Sequence, residues 1–175
     1  VRRESMGAMK MTNKGNFNQR TALDNTMDVQ EALNHVEKRI SDTESGRLYV
    51  IGLMKWIIDF DKNLTDGNHI FCYIREDINV GFALDRNGNK EKSKKPNFCV
   101  LKLKNTDRQF KDLHLDFDLN KKGEVPFREY LDRRLLNTGV FREDRWVLCG
   151  HKMDKLGIDN IKNLFLESFK RKGGQ

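Results

Sequence analysis

Cysteine, proline and long apolar runs are all scarce in this sequence. The chain of 175 residues holds three cysteines and two prolines. Cys72, Cys99 and Cys149 are odd in number and too far apart for a Cys-x-x-Cys metal site, so they indicate reduced thiols rather than a disulfide framework. No apolar run reaches the length of a membrane span, and the amino end lacks the basic and then apolar layout of a signal peptide. We expect a soluble protein of the cytoplasm, or of the nucleus in a eukaryote, with no membrane partner.

The motifs of several enzyme classes are also missing. The sequence contains no glycine-rich phosphate loop, no Gly-x-Ser-x-Gly and no His-Glu-x-x-His. An acidic-x-Lys pattern on a strand behind an upstream acid, as in PD-(D/E)xK nucleases, is not found either. The common nucleotide-hydrolysing, serine-hydrolase and zinc-protease classes are therefore not indicated.

Composition nevertheless predicts a folded domain with a heavily charged surface. Apolar residues make up 37% of the chain and charged residues 34%, but eleven Phe, two Trp and three Tyr are too many for a disordered chain. Residues 1 to 27 lack a sustained apolar period and predict a loosely ordered arm before a single domain over residues 28 to 172. The chain opens with Val1 instead of methionine, which suggests a larger polypeptide or complex around this domain.

The apolar pattern predicts an α+β fold with a largely antiparallel sheet of about five strands. Two helices come first, and Asp28 with Glu31 can form a capping box at the start of the first. Strands follow, then an inserted helix that begins near Pro126, a fifth strand and a carboxy-terminal helix. The predicted helices cover residues 28–40, 48–58, 126–135 and 158–170, and the predicted strands cover residues 69–75, 78–84, 98–104, 112–120 and 145–149.

Positive charge is concentrated in one segment. Residues 86 to 111 hold nine basic and two acidic residues, a net charge of +7 that equals the formal charge of the whole chain. Such a density attracts phosphate backbones if the side chains form one surface, whereas a solvated loop would explain residues 90 to 95 equally well. The candidate phosphate ligands are Arg86, Lys90, Lys92, Lys94, Lys95, Lys102, Lys104, Arg108 and Lys111.

The stretch from 112 to 120 alternates between polar and apolar residues. As a strand it places Leu113, Leu115, Phe117 and Leu119 on one face. His114, Asp116 and Asp118 then share the other face, where an imidazole and two carboxylates could hold a divalent metal ion. Pairing with the basic face of a neighbouring strand, through Lys102 and Lys104, explains the same pattern without a metal.

Part of this stretch resembles the calcium loop of the EF-hand family. Asp118, Asn120, Gly123 and Glu129 stand at positions one, three, six and twelve of the loop. Lys122 departs from the pattern, because a cation stands at position five where an oxygen ligand is expected.

The carboxy-terminal part resembles a small α+β domain of unassigned function that is appended to prokaryotic restriction-type nucleases and other defence proteins. The resemblance covers residues 97 to 171 and depends on a strand led by Phe98, a basic turn, the Leu-alternating strand that includes Leu113 to Asp116, a strand around Trp146 and a final helix. It implies a nucleic-acid context and transfers no catalytic residue.

Together these observations favour a non-catalytic nucleic-acid-binding or accessory module without a cofactor. Residues 86 to 111 would hold phosphates, helped by Arg133, Arg134 and the Lys170 to Lys172 tail. One alternative is a metal-dependent phosphodiesterase or nuclease centred on His114, Asp116 and Asp118, which would require a divalent metal. The other is a protein-interaction domain.

Overall fold

A computed structural model describes residues 26–86, 97–119 and 124–173, and the backbone of residues 89–90. Most of the predicted arm, residues 1 to 25, lies outside the described residues. The strands are β1 (Thr26–Met27), β2 (Asn68–Arg75), β3 (Asn79–Arg86), β4 (Asn89–Lys90), β5 (Asn97–Lys102), β6 (His114–Asp118), β7 (Asp132–Leu135) and β8 (Phe141–Cys149). The helices are α1 (Val29–Glu37), α2 (Arg47–Lys62), α3 (Gly150–Leu156) and α4 (Ile158–Arg171), with a 3-10 turn at Arg128–Tyr130.

The strands form one antiparallel sheet in the order β1-β2-β3-β5-β6-β8-β7, and β4 pairs with β3 outside this path. Every pair of neighbours is antiparallel. The predicted α+β class and antiparallel sheet are therefore confirmed. None of the helices in the described ranges combines the length and the apolar character that a membrane crossing requires.

Local sequence signals account for several of these elements. The Asp28 side chain accepts from the Glu31 backbone N–H, and the Glu31 side chain accepts from the Asp28 N–H, so the predicted capping box forms and starts α1. Glu76 and Asp77 adopt φ values of 51° and 71° in the turn between β2 and β3. This is the left-handed conformation that a tight hairpin needs, which confirms the predicted hairpin.

One face of the sheet packs against the helices. Phe165 of α4 contacts the rings of Phe82 and Phe98 on β3 and β5. The four apolar side chains of the alternating stretch from 112 to 120 are all buried in the same core. These are Leu113, Leu115, Phe117 and Leu119.

The predicted helix between Pro126 and Leu135 is wrong. Only a 3-10 turn forms, followed by strand β7, whose Arg133 lies opposite Trp146 of β8. The i, i+4 spacing of Leu131 and Leu135 fits a helix locally, but the open edge of β8 offers hydrogen bonds that favour a strand. The sheet has seven strands along its path instead of about five, because neither β1 nor β7 was predicted. The short helix α3 was not predicted either.

The same change bears on the resemblance to a calcium loop. Glu129 lies in the 3-10 turn, and the helix that should leave such a loop is replaced by β7. Residues 120 to 123, which include Asn120, Lys122 and Gly123, lie outside the described residues.

Candidate functional site

The sheet face opposite the helices carries a buried polar network. The register aligns Tyr73, Gly81, Val100, Asp116 and Val147 across five strands on this face. Most of the charged side chains of the network are nearly excluded from solvent, which requires partners of opposite charge or hydrogen bonds. We use the name polar network for Asn97, Lys102, Asp107, His114, Asp116, Arg134 and Arg145.

Asp107 holds the loop between β5 and β6 against this face. One carboxylate oxygen, Oδ1, accepts from the Gln109 backbone N–H at 2.8 Å. The other, Oδ2, lies 2.8 Å from Arg134 Nη1, 3.2 Å from Lys102 Nζ and 3.4 Å from His114 Nε2. The side chain is only 3% exposed, so this carboxylate is the buried counterion of several groups at once.

Arg134 of β7 connects the two carboxylates of the network. Its Nε donates to Asp116 Oδ2 at 2.8 Å, and its Nη2 lies 3.2 Å from His114 Nε2. The guanidinium also lies over the ring of Phe110, 5.3 Å from its centroid. A planar fork with several donors suits such multiple contacts, which a lysine could not reproduce.

The network continues across the sheet toward β2. Arg145 Nη2 donates to Asn97 Oδ1 at 2.7 Å, and Asn97 Nδ2 donates to the hydroxyl of Tyr73 at 2.6 Å. Arg145 Nη1 lies 3.8 Å from Asp116 Oδ1, and neither atom has a hydrogen-bond partner in the described chain. At this distance the two groups attract each other electrostatically without a direct hydrogen bond.

The contacts of Asp107 make the stability of the fold depend on pH. Burial by itself would raise the pKa of Asp107, but the contacts with His114 and the Gln109 amide, and the charges of Arg134 and Lys102, hold that pKa well below its ordinary value. A lowered folded-state pKa stabilises the fold above the unfolded value of about 4, and this contribution is lost as the pH falls below it.

We therefore expect Asp107→Asn to flatten the acid side of the stability profile. Urea unfolding between about pH 4 and 2 should show a slope smaller by about one proton, or about 1.4 kcal/mol per pH unit. Asp159→Asn is the control, because that carboxylate is 91% exposed. Equal slopes for both variants would show that Asp107 does not carry the effect.

The structure brings two of the three predicted metal ligands together. His114 and Asp116 share the polar face as predicted, but a guanidinium, that of Arg134, lies between them. Asp118 turns toward α4 and accepts from Arg171 Nε at 2.9 Å. Groups of three or more His, Cys, Asp or Glu side chains that could hold a metal ion are absent from the described parts of the chain.

A cysteine nucleophile is not supported by the geometry either. Cys149 lies opposite His114 in the β6–β8 register. Burial, with the nearby Asp132 carboxylate, raises the pKa of the Cys149 thiol to about 11. The thiol is thus protonated at neutral pH, whereas a nucleophilic cysteine needs a lowered pKa.

The predicted phosphate ligands are divided between the two ends of the sheet. Lys102 belongs to the polar network, and Lys104 lies 3.9 Å from Glu44. Arg108 and Lys111 are exposed on the loop that follows β5. Arg86 lies at the opposite end, where β3 finishes. It is six residues along β3 from Val80, which pairs with Leu101, so roughly 20 Å separates it from the end of β5 that carries Lys102. Lys90 is described for its backbone only, and Lys92, Lys94 and Lys95 lie outside the described residues.

The end of the sheet at Arg86 also receives the carboxy-terminal tail. Arg86 Nη2 donates to the Lys172 backbone carbonyl at 2.7 Å, just beyond the last residue of α4. Lys170 is exposed and lies 4.0 Å from Glu167. We call Arg86, Lys90, Lys170, Arg171 and Lys172 the basic end.

Comparison with known protein families, with curated proteins and with solved structures finds no match to this chain.

Sequence reasoning missed Asp107, and placed Arg134 with the phosphate ligands although it is only 13% exposed. Asp107 lies in a loop without a regular period, so no pattern pointed to it. Arg145 carried a usable signal, because a charged residue next to four buried ones in a strand requires a partner.

Proposed function

We propose that this chain is a nucleic-acid-binding accessory module that holds phosphates at the basic end. The supporting observation is the Arg86 contact with the Lys172 carbonyl, which joins the first cation of the 86–111 segment to the basic tail of α4. Cations that are close together on one surface release condensed counterions when a polyanion binds, which favours phosphate backbones over isolated anions.

The ends of the lysine-rich stretch support the same location. Lys90 of β4 pairs with Asp85, next to Arg86, and Asn97 at the start of β5 pairs with Ala83. The chain therefore enters and leaves residues 91 to 96 at the basic end. Lys92, Lys94 and Lys95 lie between these two anchors in the sequence.

The proposed binding site includes only part of the segment from 86 to 111. Lys102 has Asp107 and Glu76 as counterions, at 3.2 and 3.5 Å, and stabilises the fold. Lys104 and Lys111 lie at the far end of the sheet, beyond the reach of phosphates held near Arg86. Lys38 lies at that end too, because it follows His35, whose ring contacts the Ile78 carbonyl in the β2–β3 turn. Arg108 precedes Gln109, which bonds to Leu135 of β7. Arg171 is partly neutralised by Asp118 and Lys170 by Glu167, at 2.9 and 4.0 Å.

Two triple variants with the same change in charge test this proposal. Lys92→Ser, Lys94→Ser and Lys95→Ser together should lower the affinity for DNA or RNA oligonucleotides at least about tenfold at about 50 mM salt. The plot of log affinity against log salt should lose about 2 to 3 in slope, since each phosphate contact contributes about 0.7 to 0.9.

The matched control is Lys38→Ser, Lys104→Ser and Lys111→Ser at the other end, which should leave both quantities unchanged. Fluorescence anisotropy measures them. The proposal is wrong if the wild-type chain binds neither DNA nor RNA at about 50 mM salt. It is also wrong if the two triple variants behave alike.

A further inference from the structure

Two arginines and two aromatic rings alternate along β7 and β8. The guanidinium of Arg133 lies 4.7 Å from the ring centroid of Phe141 and 5.4 Å from that of Trp146. Arg128 lies over Trp146 as well, at 5.3 Å. These distances are those of cation–π contacts, which hold a guanidinium flat on a ring. We call these four residues the arginine–aromatic ladder.

The two cations of the ladder differ from three neighbouring arginines. Arg134, Arg142 and Arg171 each lie against a carboxylate at 2.8 to 2.9 Å. Within the described ranges, no carboxylate comes within 4 Å of the Arg128 or Arg133 guanidinium. The buried Nε of Arg133 and Nε1 of Trp146 also lack a hydrogen-bond partner there. Among the residues that the structure describes, the ladder thus combines guanidiniums that touch no carboxylate with two buried donors that have no acceptor.

The outermost ring of the ladder is open to solvent. Phe141 is 48% exposed, whereas Trp146 is only 5% exposed. Because Arg133 packs against the Phe141 ring, the exposed part of that ring can accept another flat group. Stacking of a nucleobase on an aromatic side chain is sequence-tolerant, since every base has a flat π-face.

The ladder lies at the same end of the sheet as the basic end. Asp118, the last residue of β6, pairs with Arg145 of β8 and also accepts from Arg171 of α4. Phe141 lies four residues before Arg145 on β8 and is therefore at most roughly 14 Å from that pair, since the register between β7 and β8 shifts between Arg133 and Leu135. A strand of a few nucleotides spans this distance, so phosphates at the basic end and a base at Phe141 can belong to one molecule.

We infer that the partner is single-stranded nucleic acid, with one base stacked on Phe141 and a phosphate beside Arg133. This inference rests on the proposed function and names the class of nucleic acid. A duplex keeps its bases stacked on one another inside the helix, so it cannot offer a free base face to Phe141. Single strands offer such faces together with the phosphate charge.

Two neighbouring features define where the strand runs. A cavity of about 810 Å³ between residues 124–129 and α4 is lined by Glu124, Glu129 and Glu167 beside Arg128. These carboxylates repel phosphates, so the strand follows the Phe141 and Arg133 side of the ladder. Leu136 and Val140 are also exposed near Phe141, but an apolar protein partner would leave the Arg133 charge without a counterion.

The experiment compares Phe141→Ala, Phe141→Trp and Leu136→Ala. Anisotropy is measured with a single-stranded thymidine 12-mer, a uridine 12-mer and a 12-base-pair DNA duplex in about 100 mM salt. Phe141→Ala should weaken single-strand binding about fivefold or more and leave duplex binding unchanged. The salt slope should stay constant, because stacking releases no counterions. Phe141→Trp should restore affinity, and Leu136→Ala should bind like the wild type.

Distinct outcomes overturn the two proposals. If the lysine variants weaken binding but Phe141→Ala does not, or if it weakens duplex and single-strand binding equally, this inference fails and the proposed function stands. Absence of any binding by the wild-type chain overturns both. Self-association in sedimentation that both Phe141→Ala and Leu136→Ala abolish would identify the patch as a contact between two copies and would overturn the inference.

Discussion

Replacing Arg134 with methionine is expected to lower the free energy of unfolding by about 3 to 5 kcal/mol. The change removes the guanidinium that contacts both Asp107 and Asp116, and these carboxylates are only 3% and 7% exposed. Methionine keeps much of the side-chain volume, so the loss of charge dominates the effect. Removing one partner of a buried ion pair is costly because the remaining charge stays desolvated.

Urea unfolding at pH 7 measures this loss, and Arg142→Met is the matched control. Arg142 pairs with Asp144 at the surface, with both side chains 23% to 31% exposed, so its replacement should cost about 1 kcal/mol or less. A double-mutant cycle combines Arg134→Met with Asp107→Asn. The double variant should lose less stability than the sum of the two single variants, because both single changes break the same ion pair. Equal costs for Arg134→Met and Arg142→Met would contradict the network as described.

Replacing Phe165 with alanine is also expected to lower the free energy of unfolding by about 3 to 5 kcal/mol. Phe165 is fully buried in α4, and its ring makes edge contacts with Trp56, Phe82 and Phe98. The ring therefore connects α2 and α4 to two central strands. Truncation removes apolar burial and leaves a cavity that these rings can fill only in part.

Phe141→Ala is the matched control for this prediction, because it makes the same chemical change at an exposed ring. Its cost should stay within about 1 kcal/mol, the range expected for a surface side chain with one cation–π contact. Unfolding followed by tryptophan fluorescence and by circular dichroism measures both variants. Similar losses at the two positions would show that Phe165 is not central to the core. The control also establishes that the Phe141→Ala protein used in the binding experiment is folded.

Where local interactions dominate, the sequence predicted the structure well. The capping box of α1 involves residues three apart, and the β2–β3 hairpin closes through Glu76 and Asp77. The alternation from Leu113 to Leu119 predicted which side chains enter the core, because a strand turns successive residues to opposite faces. Each of these signals lies within about ten residues of chain.

The region after Pro126 shows where local signals are insufficient. Its apolar spacing fits a helix, yet β7 forms because β6 covers only one side of β8 and leaves the other edge to be paired. Gln109, from a distant loop, then bonds to both the N–H and the C=O of Leu135. Such contacts join residues far apart in sequence, so the sequence of one segment cannot predict them.

The sequence by itself determined the α+β class, the capped first helix, the hairpin and the apolar face that includes Leu115 and Phe117, since each depends on periodicity or on turn chemistry. Only the tertiary structure decided which charges meet. The cations of residues 86 to 111 are neighbours along the chain, but antiparallel strands carry Arg86 and Lys102 to opposite ends of the sheet. The partners of Asp107 come from three different strands. Electrostatic interaction depends on distance through space, and the strand order sets that distance.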